Sequence, residues 1–194
     1  MKTLSKFPEA VKKSILLKSR VFIIENSDQS CYRLSVSGKL KSLEDLKVIA
    51  ADARSKGRSV VFTNGCFDLL HRGHVHVLRE AKACGDLLIT GVNSDKSVKK
   101  IKGPARPVVP ESDRSELLAS LEMVDYVVLF DEPDPYELIS AIRPNVLVKG
   151  GDWSDAKIVG ADLVEEAGGR VVVIPYIKGF STTEIIERIK NLDG

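Results

Sequence analysis

VVFTNGCFDLLHRGHVHVLREAK, residues 60–82, is the stretch from which the fold can be read. It opens on a β-branched apolar run, Val60 to Thr63, turns through Asn64 and Gly65, and continues from Val75 to Ala83 with helical spacing. Four later runs share the unbroken apolar character of the first: Leu87 to Val92, Tyr126 to Phe130, Val146 to Val148, and Val171 to Ile174. Runs of this kind suit strands covered on both faces. Segments of helical character at Ser115 to Leu121, Pro135 to Ile142 and Ala161 to Ala167 alternate with them. The alternation predicts an α/β fold, an open parallel five-stranded sheet with helices on both faces and right-handed connections.

Upstream, Ser42 to Asp45 reads as a capping box that opens a helix reaching about Ala53, with Leu43, Leu46, Ile49 and Ala50 on one face. Residues 1–41 form a short N-terminal extension, and residues 42–194 the principal domain. Within the extension the pattern suggests a helix around Glu9 to Leu17 and a hairpin pairing Val21 to Ile24 with Tyr32 to Val36 across Asn26, Ser27 and Asp28.

The chain has 194 residues, 43% of them hydrophobic, enough for one core with a small appendage. A net charge of +2 gives no field that argues for nucleic acid as a partner. Cys31, Cys66 and Cys84 lack the pairing of a zinc site and the density of a disulfide scaffold, which fits a reducing cytoplasm. No run reaches the ~18 apolar residues of a membrane span, and the N-terminus has no apolar signal core.

Two of the three histidines, His71 and His74, flank Arg72 and Gly73 directly behind the first strand. In open α/β sheets ligands bind beyond the carboxyl ends of the strands, where a glycine turn admits them and the next helix offers free N–H groups to phosphate. Thr63, Asn64 and Gly65 form such a turn, and both imidazoles fall at the helix start, where they can face one anion. His76, two residues beyond His74, should point elsewhere, and no Cys or Glu completes a zinc set. A second anion site is expected where Gly179 precedes Ser181, Thr182 and Thr183 at the start of another helix.

GCFDLLHRGH resembles the HxGH signature of the nucleotidyltransferase superfamily, whose fold is Rossmann-like and whose histidines stabilise charge during attack at the α-phosphate of a nucleotide. STTEIIER, residues 181–188, resembles that superfamily's second signature, which holds the β- and γ-phosphates. On this resemblance His71, His74 and Lys102 are the expected catalytic residues. Thr63, Asn64, Gly65, Cys66, Phe67, Gly73, Lys149, Gly151, Asp152, Trp153, Ser181, Thr182 and Thr183 are expected to bind nucleotide. The stretch from Asn93 through Asp95 and Lys99 to Arg106, with Arg114, reads as a basic, mobile connection. Asp68, Asn93, Asp95, Arg106 and Arg114 are accordingly expected around the substrate phosphate, with Asp68 and Asp95 also candidates for metal or orienting roles.

From Leu43 to Leu192 the chain is most similar to the heptose 1-phosphate adenylyltransferase family, which includes the C-terminal half of bifunctional ADP-heptose synthases. VVFTNGCFDLLHRGHV, GVNSDKSVKKIKGPARPVVP, LVKGGDW and GFSTTEIIERI carry the similarity. It implies transfer of AMP from ATP to a sugar 1-phosphate for lipopolysaccharide core synthesis. It also implies Mg²⁺ carried by the ATP phosphates, with no certain protein ligand. The roughly forty residues ahead of Ser42 are too few for a kinase domain, so a separate sugar kinase is expected to supply the substrate. A homodimer is also expected, for which an apolar N-terminal hairpin could serve as a contact. The glycerol-phosphate cytidylyltransferases share the fold, but carry arginine five residues before the serine of the second signature, where this chain has Tyr176. CTP with glycerol 3-phosphate is therefore the alternative pair, and a non-catalytic nucleotide sensor the alternative of another class.

Overall fold

In a computed structural model, the described residues are 15–18, 21–24, 38–151, 158–177 and 179–192, with backbone alone for the first two segments. The chain divides into two compact units, Met1–Ser35 and Val36–Gly194. In the first, β1 (Ile15–Lys18) pairs antiparallel with β2 (Val21–Ile24). The expected helix therefore does not extend over residues 15–17, and the partner of Val21–Ile24 is the segment before it. Tyr32 to Val36, the expected partner, lies outside the described residues. The boundary also falls earlier than Ser42, because Leu40 bridges Val127 and the Lys41 N–H donates to the Val127 carbonyl at 2.9 Å.

The second unit runs α1 (Leu43–Ser55), β3 (Val60–Gly65), α2 (Arg72–Ala83), β4 (Leu87–Asn93), α3 (Asp95–Lys102), α4 (Glu111–Ala119), β5 (Tyr126–Phe130), α5 (Tyr136–Ile142), β6 (Val146–Gly150), α6 (Ala161–Glu166), β7 (Arg170–Ile174) and α7 (Thr182–Lys190). The five strands β3 to β7 form one parallel sheet in the order β5-β4-β3-β6-β7, and the fold is Rossmann-like. Ser42 caps α1 through the expected box, its hydroxyl accepting from the Asp45 N–H at 3.1 Å.

Alternation along each strand sends neighbouring side chains to opposite faces, and both faces are filled. Val61, Leu88, Val127 and Val148 meet Val77, Leu78 and Ala81 of α2 and Leu118 of α4. Phe62, Ile89, Val128 and Leu147 meet Leu46 and Ala50 of α1 and Ile139 and Ile142 of α5. The chain travels from β3 out to β5 and returns beside β3 as β6, so the strand order reverses between β3 and β6. A ligand crevice is expected beyond the carboxyl ends of these two strands.

The region after β4 differs from expectation. Asp95–Lys102 is a helix rather than a mobile loop, started by Ser94, whose hydroxyl accepts from the Ser97 N–H at 3.2 Å. Ser97 and Val98 are its buried residues.

Candidate active site

Beyond β3 and β6 lies a cleft of about 1040 Å³. The turn after β3 brings Phe67 round with φ 46° and delivers His71 as the N-cap of α2. The His71 Nδ1 accepts from the Gly73 N–H at 3.1 Å, which assigns the proton of the neutral ring to Nε2. His74 stacks on His71 with ring centroids 3.8 Å apart, and Phe67 closes the far side of His74 at 5.2 Å. Burial, then the neighbouring His71, push His74 down to about 4, against the opposing pull of the Leu69 carbonyl. Burial also lowers His71, with Glu184 opposing. His74 is therefore uncharged at neutral pH, and its buried Nδ1 has no hydrogen-bond partner among the described residues.

Gly73 permits a second motif to approach. A Cβ there would lie 3.0 Å from the His71 ring and 3.1 Å from the Phe180 carbonyl oxygen. The Arg72 guanidinium stands over the Phe180 ring at 5.5 Å, fixing the segment that leads into α7. Ser181 caps α7, its hydroxyl accepting from the Glu184 N–H at 3.1 Å. Helix geometry leaves the Thr182 and Thr183 N–H groups without intrahelical acceptors, at the positive end of the helix dipole. Ser181, Thr182 and Thr183 line the same cleft as His71, Gly73 and His74.

Lys102, the last residue of α3, and Arg106 line the cleft as well. Arg106 is held by Asp68, which is 2% exposed and takes the Arg106 Nε–H on one oxygen. The other oxygen accepts from the Val108 and Val109 N–H groups, at 2.7 and 3.0 Å. Asp68 lies in the cleft lining, and its carboxylate is engaged with the linker after α3, the orienting role among those expected for it. Arg114 and Asp95, expected around the substrate phosphate, are bonded to each other outside the cleft lining. Arg114 is 1% exposed and absent from the cleft lining, donating to the Val109 carbonyl at 2.9 Å, to the Cys66 carbonyl, and to Asp95 Oδ1 at 2.8 Å. The paired aspartate is also absent from the lining. The two residues staple the turn after β3 to the starts of α3 and α4.

Thr63, Asn64, Gly65, Cys66, Phe67, Asn93 and Lys149 are all in the cleft wall. Burial pushes the Cys66 thiol up, so it stays protonated. The Gly151 N–H is bonded to the Ile174 carbonyl at 2.9 Å and Gly151 is not in the wall; Asp152 and Trp153 lie outside the described residues. Sequence reasoning missed Tyr176, Ile177 and Phe180 after β7, Asp134 after β5, and Glu184 in α7. Their one available signal was position: the first four follow the carboxyl ends of strands, and Glu184 falls in the first turn of a helix already expected to meet phosphate.

A histidine pair, a helix N-terminus and two basic side chains around one cleft at the sheet's switch point define a nucleotidyltransferase. The chain belongs to the cytidylyltransferase-like family, whose model matches residues 62–188. It is 56% identical over 151 residues to the bifunctional protein HldE of Trichlorobacter lovleyi, an alignment covering 78% of this chain and 31% of that protein. The bifunctional protein HldE of Syntrophotalea carbinolica is 51% identical over 158 residues, covering 81% of this chain and 32% of the relative. The chain thus spans about a third of the length of these relatives. A lipopolysaccharide core biosynthesis protein from Thermoplasma volcanium is similar in structure, with a TM-score of 0.50 and 31% identity, covering 64% of this chain and all of that one. A pantoate-beta-alanine ligase from Francisella tularensis shares the fold, with a TM-score of 0.52 and 16% identity over 80% of this chain and 78% of the other. No helix among the described residues is long and apolar enough to cross a membrane.

Proposed function

We propose that the chain transfers AMP from ATP to a heptose 1-phosphate, releasing pyrophosphate and ADP-heptose, a precursor of the lipopolysaccharide core. The observation that carries this reading is the convergence of the His71–His74 pair and the α7 N-terminus on one cleft. Its sugar specificity is supported by the similarity to the HldE proteins and to the Thermoplasma protein.

A phosphate oxygen of the sugar 1-phosphate attacks the α-phosphorus in line, one P–O bond forms, and the bond to the β-phosphate bridging oxygen breaks. The nucleophile is already ionised, so no strong base is needed, and positioning with charge stabilisation supplies the rate. His71 offers its Nε2–H to the charge that develops at the transferring phosphate, with His74 packed against it. The Ser181 hydroxyl and the Thr182 and Thr183 N–H groups hold the leaving pyrophosphate. Lys102 and Arg106, which line the same cleft, meet the sugar phosphate.

Among the described residues no group of three or more His, Cys, Asp or Glu could cage a metal, and the Asp68 and Asp95 carboxylates are engaged by arginines. That donor set fits Mg²⁺ held chiefly by substrate phosphates and water, where it would neutralise phosphate charge. A sugar kinase is the class of enzyme that supplies the acceptor, and the cytoplasm, where ATP is available, is the proposed site of action. Association into a homodimer is part of the same proposal.

Pyrophosphate release with Mg²⁺, offering ATP or CTP against α- and β-heptose 1-phosphate and glycerol 3-phosphate, tests the reading. Release with ATP and one heptose phosphate is expected. Release with CTP and glycerol 3-phosphate would replace it with the cytidylyl reaction.

A further inference from the structure

Lys149 is the penultimate residue of β6, just past the last β6 residue paired with β3 and one strand from the turn that carries the histidines. The residue is 8% exposed, yet it belongs to the cleft wall, so its ammonium lies in the cleft floor. Its Nζ donates to Asn64 Oδ1, a neutral acceptor at the end of β3. It forms no ion pair among the described residues, although every other buried charged side chain in that set, Asp68 and Arg114, has an opposite charge in contact. Asp134, in the connection from β5 to α5, is the one carboxylate that favours its charged form, and His71 and His74 share the cleft. Burial wins over Asp134 and holds the amine down to about 8. A buried cation whose only bonded partner among the described residues is a neutral amide is costly, and a ligand that supplies negative charge offsets that cost.

We propose that Lys149 is a phosphate-contacting residue of the cleft floor, its ammonium meeting the α-phosphate of the nucleotide at the switch between β3 and β6. The inference deepens the nucleotidyl-transfer reading and rests on it. Lys149 also sets Asn64, because an ammonium accepts nothing and so holds the amide with its oxygen inward and its NH₂ group free for the ligand. Anion binding at this point draws the lysine fully into its charged form, so binding at a pH where the free amine is half neutral takes up a proton.

Isothermal titration of the full chain with Mg²⁺-ATP at pH 8, in two buffers of different ionisation enthalpy, measures that uptake. The parent should gain roughly half a proton at pH 8 and less at pH 7, where the amine is already charged. Lys149→Met should remove the uptake at pH 8 and bind ATP at least tenfold more weakly, while the ligand-free protein melts no lower than the parent. Lys149→Arg keeps the charge but cannot titrate, so it should retain more affinity than the methionine variant and show no uptake. Adenosine, which has no phosphate, should bind parent and Lys149→Met alike. If heptose 1-phosphate alone, and not ATP, drives the uptake, the ammonium meets the acceptor and the assignment to the α-phosphate is overturned. Uptake that persists in Lys149→Met, or affinity and turnover within threefold of the parent, would overturn the role itself. Failure of ATP to bind the parent at all would instead sink the nucleotidyl-transfer reading.

Discussion

His74 should make the stability of this protein depend on pH in a way that its removal abolishes. The ring is packed between Phe67 and His71, and burial followed by the adjacent imidazole pushes it down to about 4 from the ordinary 6.5. The unfolded chain therefore binds a proton at this residue over the window from pH 6.5 to 4 while the folded chain does not. Stability rises with pH where the unfolded state holds more protons, so it is complete above pH 6.5 and is lost as the pH falls toward 4. Each pH unit inside the window is worth about 1.4 kcal/mol, giving a loss of about 3 kcal/mol across it. Urea unfolding of the parent and of His74→Asn at pH 7.5, 6.5, 5.5 and 4.5 isolates the contribution, because titrations elsewhere cancel in the difference. The parent should lose about 2 kcal/mol more than the variant between pH 6.5 and 4.5. His71→Asn should show a smaller excess, since His71 is less buried and Glu184 opposes its shift. Parallel curves for parent and His74→Asn would refute the claim that this ring is held uncharged by its surroundings.

Arg114→Met leaves the Asp95 carboxylate and the Val109 and Cys66 carbonyls without their donor. It should destabilise the fold by about 3–5 kcal/mol in denaturant titration, and a loss under 1 kcal/mol would contradict the stapling role. Asp68→Asn keeps an acceptor for the linker N–H groups but removes the charge that holds Arg106. Steady-state kinetics should show KM for the sugar phosphate raised about tenfold with KM for ATP nearly unchanged, a positioning loss of about 1.4 kcal/mol. Gly73→Ala places a methyl 3.0 Å from the His71 ring and 3.1 Å from the Phe180 carbonyl. It should cost on the order of 10²-fold in turnover by parting the two phosphate motifs, with circular dichroism unchanged.

The strands were legible because each is covered on both faces, which leaves unbroken apolar runs such as Leu87 to Val92. The two motifs that meet in the cleft were legible because a short spacing encodes each locally, His71 to His74 and Ser181 to Thr183. What failed to show lies in burial and long-range pairing. DKSVKKIK reads as a solvated basic loop, since its buried face is only Ser97 and Val98. Arg114 reads as a phosphate ligand of the basic connection, because the partners that bury it are 5 to 48 residues away in the chain. For Asp68 the metal, substrate and orienting roles could not be separated in the sequence for the same reason, because its partners Arg106, Val108 and Val109 are about forty positions on. In the cleft wall after β7, Tyr176 and Phe180 belong to or flank the second signature, but that they line the cleft follows only from the place of β7 in the sheet.

The charges follow from one physical constraint. On the proposed reaction the cleft takes two phosphorylated substrates and must present positive potential, yet cationic side chains crowded into a cleft repel one another when it is empty. Here the repulsion is limited by form. His74 waits uncharged, the α7 N-terminus contributes a dipole in place of a formal charge, and Lys149 is partly neutral at pH 8. Carboxylates could have balanced the remaining cations, but in the cleft they would also repel the phosphates. The two aspartates that pair with arginine are set accordingly. Asp95 stands outside the cleft, and Asp68 turns both oxygens to Arg106 and the linker backbone. These two acids are thus committed to protein donors, while Asp134 and Glu184 remain as carboxylates of the cleft wall. If Lys149 meets phosphate as proposed, the cleft gains field strength as the ligand arrives, which ties proton uptake at the lysine to binding.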